Sequence, residues 1–364
     1  MQQFYSLEPI LEVDAHYNII FGERNSGKSF QALKYCIKHY FETGEQFAII
    51  RRWQDDIKKS NAIHFFDNLI QHGIIKELSG GEYDSIIYSS REFRFYNTET
   101  ENTDKNPCCF AFSLSGWEHV KSSSYPNVTR IVFDEFLTRT FYLPNEFIIF
   151  MNLLSTIIRE RTNVKIFMLG NSINKYPPYF NEMGLSRIKQ MKPGIIDVYT
   201  YGKTKLKVAV ELCEPVQAKK ESNFYFAFEN PQLDMITGDG QIWEMALYPH
   251  LNIKYRPCDV VYTYFIVYEG DTLQCEIVSI EDNNFTFIHR KTTPLKENPY
   301  DLIFTPYAVA KSNYVANIYH SSLPFTKKVL RFFMENKVFY QDNEVGEIVR
   351  GYFMKCRQGD DDII

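Results

Sequence analysis

The chain has 364 residues, a formal net charge of −5 and an aromatic content of 16%, with 30 Phe and 25 Tyr. That is long enough for two domains with cores of their own, too aromatic for disorder, and too acidic for a global electrostatic hold on nucleic acid. Seven cysteines without a CxxC pair or a zinc-spaced Cys/His cluster read as reduced residues of a cytosolic protein. No apolar run approaches the roughly 20 residues that cross a bilayer, and the start MQQFYSLEPI lacks the pattern of a secretion signal.

The first strong element is an apolar strand, Tyr17 to Phe21, leading into Gly22-Glu23-Arg24-Asn25-Ser26-Gly27-Lys28-Ser29. This octapeptide fits G-x-x-x-x-G-K-[ST], and a helical pattern from Lys28 to about Phe41, stopped by Gly44, follows it. Glycines let backbone amides turn toward phosphate oxygens, and the helix start adds its positive dipole end. The pattern predicts ATP as ligand, with Lys28 on the β- and γ-phosphates and the Ser29 hydroxyl on Mg²⁺.

A second apolar strand, Phe47 to Ile50, is followed by the basic residues Arg51, Arg52, Lys58 and Lys59. They read as solvated surface charge, or as one of several basic loops that a ring of subunits would point at a phosphate backbone. Gly80 to Asn97 alternates like a hairpin, and Cys108-Cys109 lies in a strand-like run. Arg130 to Glu135 is an apolar strand ending in adjacent carboxylates. Asp134 is placed to hold Mg²⁺, and Glu135 to polarise an attacking water, which is hydrolysis chemistry.

Asn145 to Arg161 reads as a mostly buried helix, followed by a strand from Val164 to Leu169 that ends at Gly170-Asn171. Asn171 is a candidate sensor of the γ-phosphate. Arg159 or Arg161 is a candidate finger for a neighbouring subunit's site, or else a cation at an ordinary helix C-terminus. Alternating strands and helices to about residue 200 predict a parallel α/β domain. Residues 201–240, with strand-like Leu206 to Leu212 and Phe224 to Phe228 broken by Pro and Gly, read as a linker module. Residues 241–364 read as an α+β domain, with strands Val260 to Tyr268, Leu273 to Ile280 and Phe285 to His289. Its helices are Leu323 to Glu335 and Glu344 to Cys356. Asp360 to Asp362 reads as a frayed tail.

The segment Lys121-Ser-Ser-Ser-Tyr-Pro-Asn-Val-Thr-Arg-Ile-Val-Phe-Asp-Glu-Phe136 closely resembles the DNA-packaging ATPases (encapsidation proteins) of phi29-like tailed phages. So do Gly44 to Arg52, the Arg-x-Arg helix end before Asn171 and, more weakly, Phe265 to Leu273. The resemblance implies an α/β P-loop ATPase domain of the additional-strand, catalytic-glutamate type over residues 1–200. It implies a linker over 201–240 and a vestigial RNase H-like nuclease that binds nucleic acid over 241–364.

It further implies a homo-oligomeric ring, a pentamer, on the portal vertex of a prohead in the host cytoplasm. The implied partners are double-stranded DNA and a packaging RNA. Carried over by position, Arg24 joins Lys28 on the phosphates, Arg159 is the trans-acting finger and Lys121 lies near the subunit boundary. The family's DNA-gripping loop follows the double arginine. Here Asp55-Asp56 precede the lysines, which departs from the pattern. The competing readings are a terminase large subunit with an active C-terminal nuclease, using acids such as Glu269, Asp271, Glu276 and Asp301, and a P-loop switch. Clustered acids would favour the first, and Glu135 argues against the second.

Overall fold

A computed structural model describes residues 5–23, 26–120, 124–138, 142–171, 178–202, 205–214, 248–281, 283–296 and 298–358. Chain contacts divide the described residues into two compact units, 5–214 and 248–358. Most of the linker stretch, 215–240 with Phe224 to Phe228, lies outside the described residues, as does the aspartate tail.

In the first unit, a short helix Glu8–Glu12 (α1) precedes Tyr17–Gly22 (β1), and Lys28–Thr43 (α2) follows the glycine-rich loop. Gly44 ends α2 in the left-handed conformation (φ 75°), its N–H bonded to the Tyr40 carbonyl at 2.7 Å, a glycine stop. Next come Gln46–Arg51 (β2) and the short helices Lys59–Ala62 (α3), Asp67–Gln71 (α4) and Ile74–Leu78 (α5). Ser85–Ser89 (β3) and Glu92–Tyr96 (β4) form the hairpin, and Cys109–Ser113 (β5) and Val128–Asp134 (β6) follow. Glu146–Ile158 (α6), Lys165–Asn171 (β7), Pro178–Glu182 (α7), Ile196–Tyr201 (β8) and Leu206–Leu212 (β9) complete the unit.

The nine-stranded sheet has the order β3-β4-β5-β2-β6-β7-β1-β9-β8. The run from β5 to β9 is parallel, and β4 and β8 are antiparallel to their neighbours. Strand β7 pairs with both β1 and β6, so an added strand separates the loop strand from the carboxylate strand.

Side chains alternate between the two faces of each strand. Ile20, Val132, Phe167 and Leu169 pack with Ala32, Cys36, Ile37 and Tyr40 of α2 on one face. Ile19, Phe21, Ile131, Phe133, Ile166 and Met168 pack with Phe150, Leu153, Leu154 and Ile157 of α6 on the other. Both faces are covered, hence the near-continuous apolar runs.

Leu206–Leu212 departs from its reading as a linker piece. It pairs parallel with β1, Tyr17 opposite Val208 and Phe21 opposite Leu212. Buried Val208, Val210 and Leu212 join the α6 face, and this burial holds the segment in the first core.

In the second unit, Val260–Tyr268 (β10), Asp271–Ile280 (β11) and Asn283–Arg290 (β12) form an antiparallel meander. Leu302–Thr305 (β13) and Tyr314–Ala316 (β14) add parallel beyond β10, and Val338–Tyr340 (β15) adds beyond β12, giving β14-β13-β10-β11-β12-β15. Glu269 and Gly270 turn with φ 50° and 80° between Tyr268 and Asp271, a two-residue hairpin in which both residues need positive φ. The helices are Pro324–Met334 (α8) and Asn343–Gln358 (α9). α9 buries Val345, Ile348, Val349, Tyr352 and Cys356, one stripe at helical spacing.

Candidate active site

Parallel register brings the strand ends together: Gly22 lies opposite Asn171, and Asp134 opposite Leu169. Ligands of open parallel sheets bind at this carboxyl edge. A cavity of about 760 Å³ opens there, bounded by Lys28, Ser29, Asp134, Glu135 and Asn171, a volume suited to a nucleotide-sized ligand.

The glycine-rich loop is shaped by packing. A Cβ on Gly22 would lie 2.8 Å from the Cys213 Cβ just beyond β9, so the loop strand can approach β9 only with glycine there. Gly27, at φ 92°, caps α2. Lys28 is buried and folds back on the loop: Nζ donates to the Glu23 carbonyl at 2.6 Å, the Ser26 Oγ at 3.0 Å and the Gly22 carbonyl at 3.4 Å. The Glu23 carboxyl is pushed above its ordinary range by burial, with Lys28 opposing. Arg24 and Asn25 lie outside the described residues.

Ser29 Oγ donates to Asp134 Oδ1 at 2.9 Å. Hydroxyl and carboxylate oxygens that already converge are a donor set suited to Mg²⁺. Glu135 follows with φ 58° and an exposed carboxylate. Left-handed backbone costs a non-glycine residue roughly 1–2 kcal/mol, so neighbouring bonds must hold it.

Those bonds come from two residues that the sequence reading assigned to surface charge or to a gripping loop. Arg51, at the tip of β2, donates to Asp134 Oδ2 at 3.0 Å and Glu135 Oε2 at 2.7 Å. Arg52 is buried, donating to the Glu135 and Phe136 carbonyls at 3.1 and 2.6 Å and to both carboxylate oxygens of Glu146 at 2.8 and 2.9 Å. The usable signal was position: the double arginine closes the strand beside the carboxylate strand. Asn68 of α4 and His72 just after it, also unassigned from sequence, line the cavity.

The two candidate fingers differ. Arg161 is spent on backbone, donating to the carbonyls of Tyr125, Pro126, Val128, Ile157 and Ile158. It ties the Tyr-Pro-Asn-Val segment to the end of α6. Arg159 is exposed and is the C-cap of α6, with φ 53° and ψ −123°. The helix therefore stops three residues before the expected Arg161. Lys121 lies outside the described residues.

In the second unit, Asp271 is ion-paired with Arg290 at 2.8 Å, and Glu276 accepts from Tyr255 at 2.5 Å and Gln274 at 2.7 Å. Glu269 accepts from Tyr307, and Asp301 from Asn298 at 3.0 Å. Among the described residues no group of three or more His, Cys, Asp or Glu side chains could hold a metal. No helix among them is long and apolar enough to cross a membrane.

A strand, glycine-rich loop and helix facing a carboxylate strand across one added parallel strand give this unit the arrangement of a P-loop fold. The chain belongs to the Podovirus DNA encapsidation protein (Gp16) family, whose profile matches residues 1–357. The DNA packaging proteins of Bacillus phages PZA and phi29 are each 26% identical to it, over 361 and 364 residues, covering 97% of this chain and 98% of each relative. A chain of the bacteriophage Phi-29 viral genome packaging motor assembly shares the fold, with a TM-score of 0.55 at 23% identity, covering 97% of this chain and 99% of that one.

Proposed function

We propose that this chain is the ATP-hydrolysing subunit of a viral genome-packaging motor, driving double-stranded DNA into a prohead. The observation that carries the proposal is the Ser29–Asp134 hydrogen bond of 2.9 Å with Glu135 next in the chain, within a DNA encapsidation family.

The start of α2 and Lys28 bind the β- and γ-phosphates, Lys28 exchanging its loop carbonyls for phosphate oxygens, and Arg24 joins them. Ser29 and Asp134 hold Mg²⁺, which when bound offsets the phosphate charge. Glu135 orients and deprotonates the attacking water. Asn171, at the tip of the added strand, hydrogen-bonds the γ-phosphate or that water. Arg159 of a neighbouring subunit stabilises charge in the transition state, a role for which Arg161, committed to five carbonyls, is not available.

The working form is a ring, a pentamer, on the portal vertex, with packaging RNA as a further partner and Lys121 near the subunit boundary. The second unit is an RNase H-like module that holds nucleic acid without cutting it. Its antiparallel meander with a parallel fourth strand supports the fold. The pairing of Asp271 with Arg290 weighs against two-metal cleavage and so against an active-nuclease terminase.

The test is ATP turnover of wild type and Glu135→Gln against protein concentration, with and without prohead and DNA. A low basal rate that rises on assembly and vanishes in the variant is expected. Turnover indifferent to concentration, prohead and DNA would make the chain a self-contained nucleotide hydrolase.

A further inference from the structure

We infer that Arg52 is a positioning residue for hydrolysis: from a buried ion pair with Glu146, its guanidinium fixes the left-handed backbone that aims the Glu135 carboxylate. The inference rests on the ATPase reading above and adds a residue to it.

Every bond needed is present. Arg52 Nε and Nη2 grip the two oxygens of Glu146 at 2.8 and 2.9 Å. The same Nη2 reaches the Phe136 carbonyl at 2.6 Å, and Nη1 the Glu135 carbonyl at 3.1 Å. The Tyr142 ring covers the guanidinium at 5.0 Å. Glu146 is satisfied from its other side by the Tyr179 hydroxyl at 2.8 Å and the Leu143 N–H at 2.8 Å. Arg52 and Glu146 are only 6% and 4% exposed.

A buried pair of this kind adds little net stability, because desolvation offsets the attraction. What it supplies is geometry. A planar fork that is already fixed by Glu146 presents its remaining N–H groups to consecutive carbonyls in one orientation. Those carbonyls belong to Glu135, at φ 58°, and to Phe136, whose own N–H is held by the Leu169 carbonyl at 3.1 Å. Backbone strain at a reacting residue persists only where its surroundings over-determine it. Arg52 and β7 together supply that determination. Arg51 contacts the carboxylate itself, so the neighbouring arginines divide the work between side chain and backbone.

The pair also seats the first turn of α6, the helix that ends at Arg159, while Tyr179 brings in α7, the next described element after Asn171. One buried cluster thereby joins the segment that carries the water-activating residue of the proposed mechanism to the helix that ends at its finger.

The test compares Arg52→Lys with Tyr179→Phe in the full chain. A lysine keeps the charge opposite Glu146 but cannot reach a carboxylate fork and two carbonyls at once. Tyr179→Phe loosens the same cluster without touching the Glu135 and Phe136 carbonyls.

Arg52→Lys should lower kcat at least about tenfold, with KM and the affinity for a fluorescent ATP analogue within about threefold of wild type. Tyr179→Phe should lower the melting temperature yet keep kcat within about threefold. The inference is overturned if Arg52→Lys retains kcat, if kcat and nucleotide affinity fall together, or if both variants lose kcat equally. If Arg52→Lys does not fold, Arg52→Gln/Glu146→Gln, which leaves no buried charge, is read by the same criteria. Glu135→Gln separates the two levels. Turnover that survives in it sinks the hydrolysis reading, whereas turnover lost there but kept in Arg52→Lys sinks only the role of Arg52.

Discussion

Arg51 holds Glu135 by its carboxylate, Nη2 to Oε2 at 2.7 Å, while its Nη1 holds Asp134 at 3.0 Å. One guanidinium thus bridges both acids of the proposed hydrolytic site. A carboxylate oxygen that accepts from a guanidinium N–H is not free to ligate a cation at the same time. Arg51 occupies Asp134 Oδ2 while Ser29 meets Oδ1, so the guanidinium and a divalent cation on Oδ1 would be like charges sharing one carboxylate.

Competition between like charges therefore sets the first prediction. Arg51→Ala should lower the Mg²⁺ concentration for half-maximal ATP turnover by roughly three- to tenfold, the effect of about 1 kcal/mol of relieved competition. A Mg²⁺ titration at fixed ATP measures it. A higher Mg²⁺ requirement in the variant would show that Arg51 assists the cation.

Ser29 tests the other side of the same contact. Ser29→Ala removes the hydroxyl that meets Asp134 at 2.9 Å, and with it one proposed Mg²⁺ ligand. Nucleotide affinity with Mg²⁺ should drop about tenfold, and affinity in EDTA should change by less than about twofold. Titrating a fluorescent ATP analogue under both conditions separates the outcomes. Equal losses in both would place Ser29 on phosphate alone.

Arg159 and Arg161 should part company in stability. Arg161→Ala removes a side-chain donor from five carbonyls, of which Tyr125 and Ile158 keep a backbone N–H. The expected cost is about 2 kcal/mol, or about 4–8 °C in melting temperature. Arg159→Ala should melt within about 2 °C of wild type but lose turnover on assembly, recovered in part by mixing with Glu135→Gln protein. The exchange of these roles, with Arg161→Ala stable and inactive, would reassign the finger.

The elements built from local pattern were the legible ones. Strands β1, β6 and β7 are buried on both faces and show as apolar runs, and α2 announces itself by spacing and by Gly44. The glycine-rich loop and the Asp134-Glu135 pair follow from short motifs. What stayed hidden depends on which distant segments meet. Leu206–Leu212 looks like a linker piece until its pairing with β1 is known. Adjacent arginines after a short strand look like surface charge until β2 is found beside β6, where both turn inward onto acids. The strands Leu302–Thr305 and Val338–Tyr340 are too short for any periodicity to mark. The end of α6 at Ile158 is set by the backbone of Arg159, which helix propensity does not foresee.

A last prediction concerns pH, through the contact between the start of the chain and the loop. Tyr5 donates its hydroxyl to Glu211 on β9 at 2.7 Å, and its N–H to the Ser26 carbonyl at 2.9 Å. Glu211 is 7% exposed. Burial pushes its carboxyl above the ordinary glutamate range, the Tyr5 bond opposing and Glu214 adding to the rise. Between the ordinary pKa of about 4.3 and the raised native value, the folded chain holds a proton that the unfolded chain has released. Stability then falls as pH rises through that window, because the native state binds more protons. The contribution is whole below the unfolded pKa and lost above the folded one. Glu211→Gln keeps an acceptor for Tyr5 and removes the titration. It should melt close to wild type near about pH 4 and above it at about pH 8, flattening the pH profile of the melting temperature. A variant that melts lower than wild type by the same margin at both pH values would mean that Glu211 stabilises the loop as a charged carboxylate.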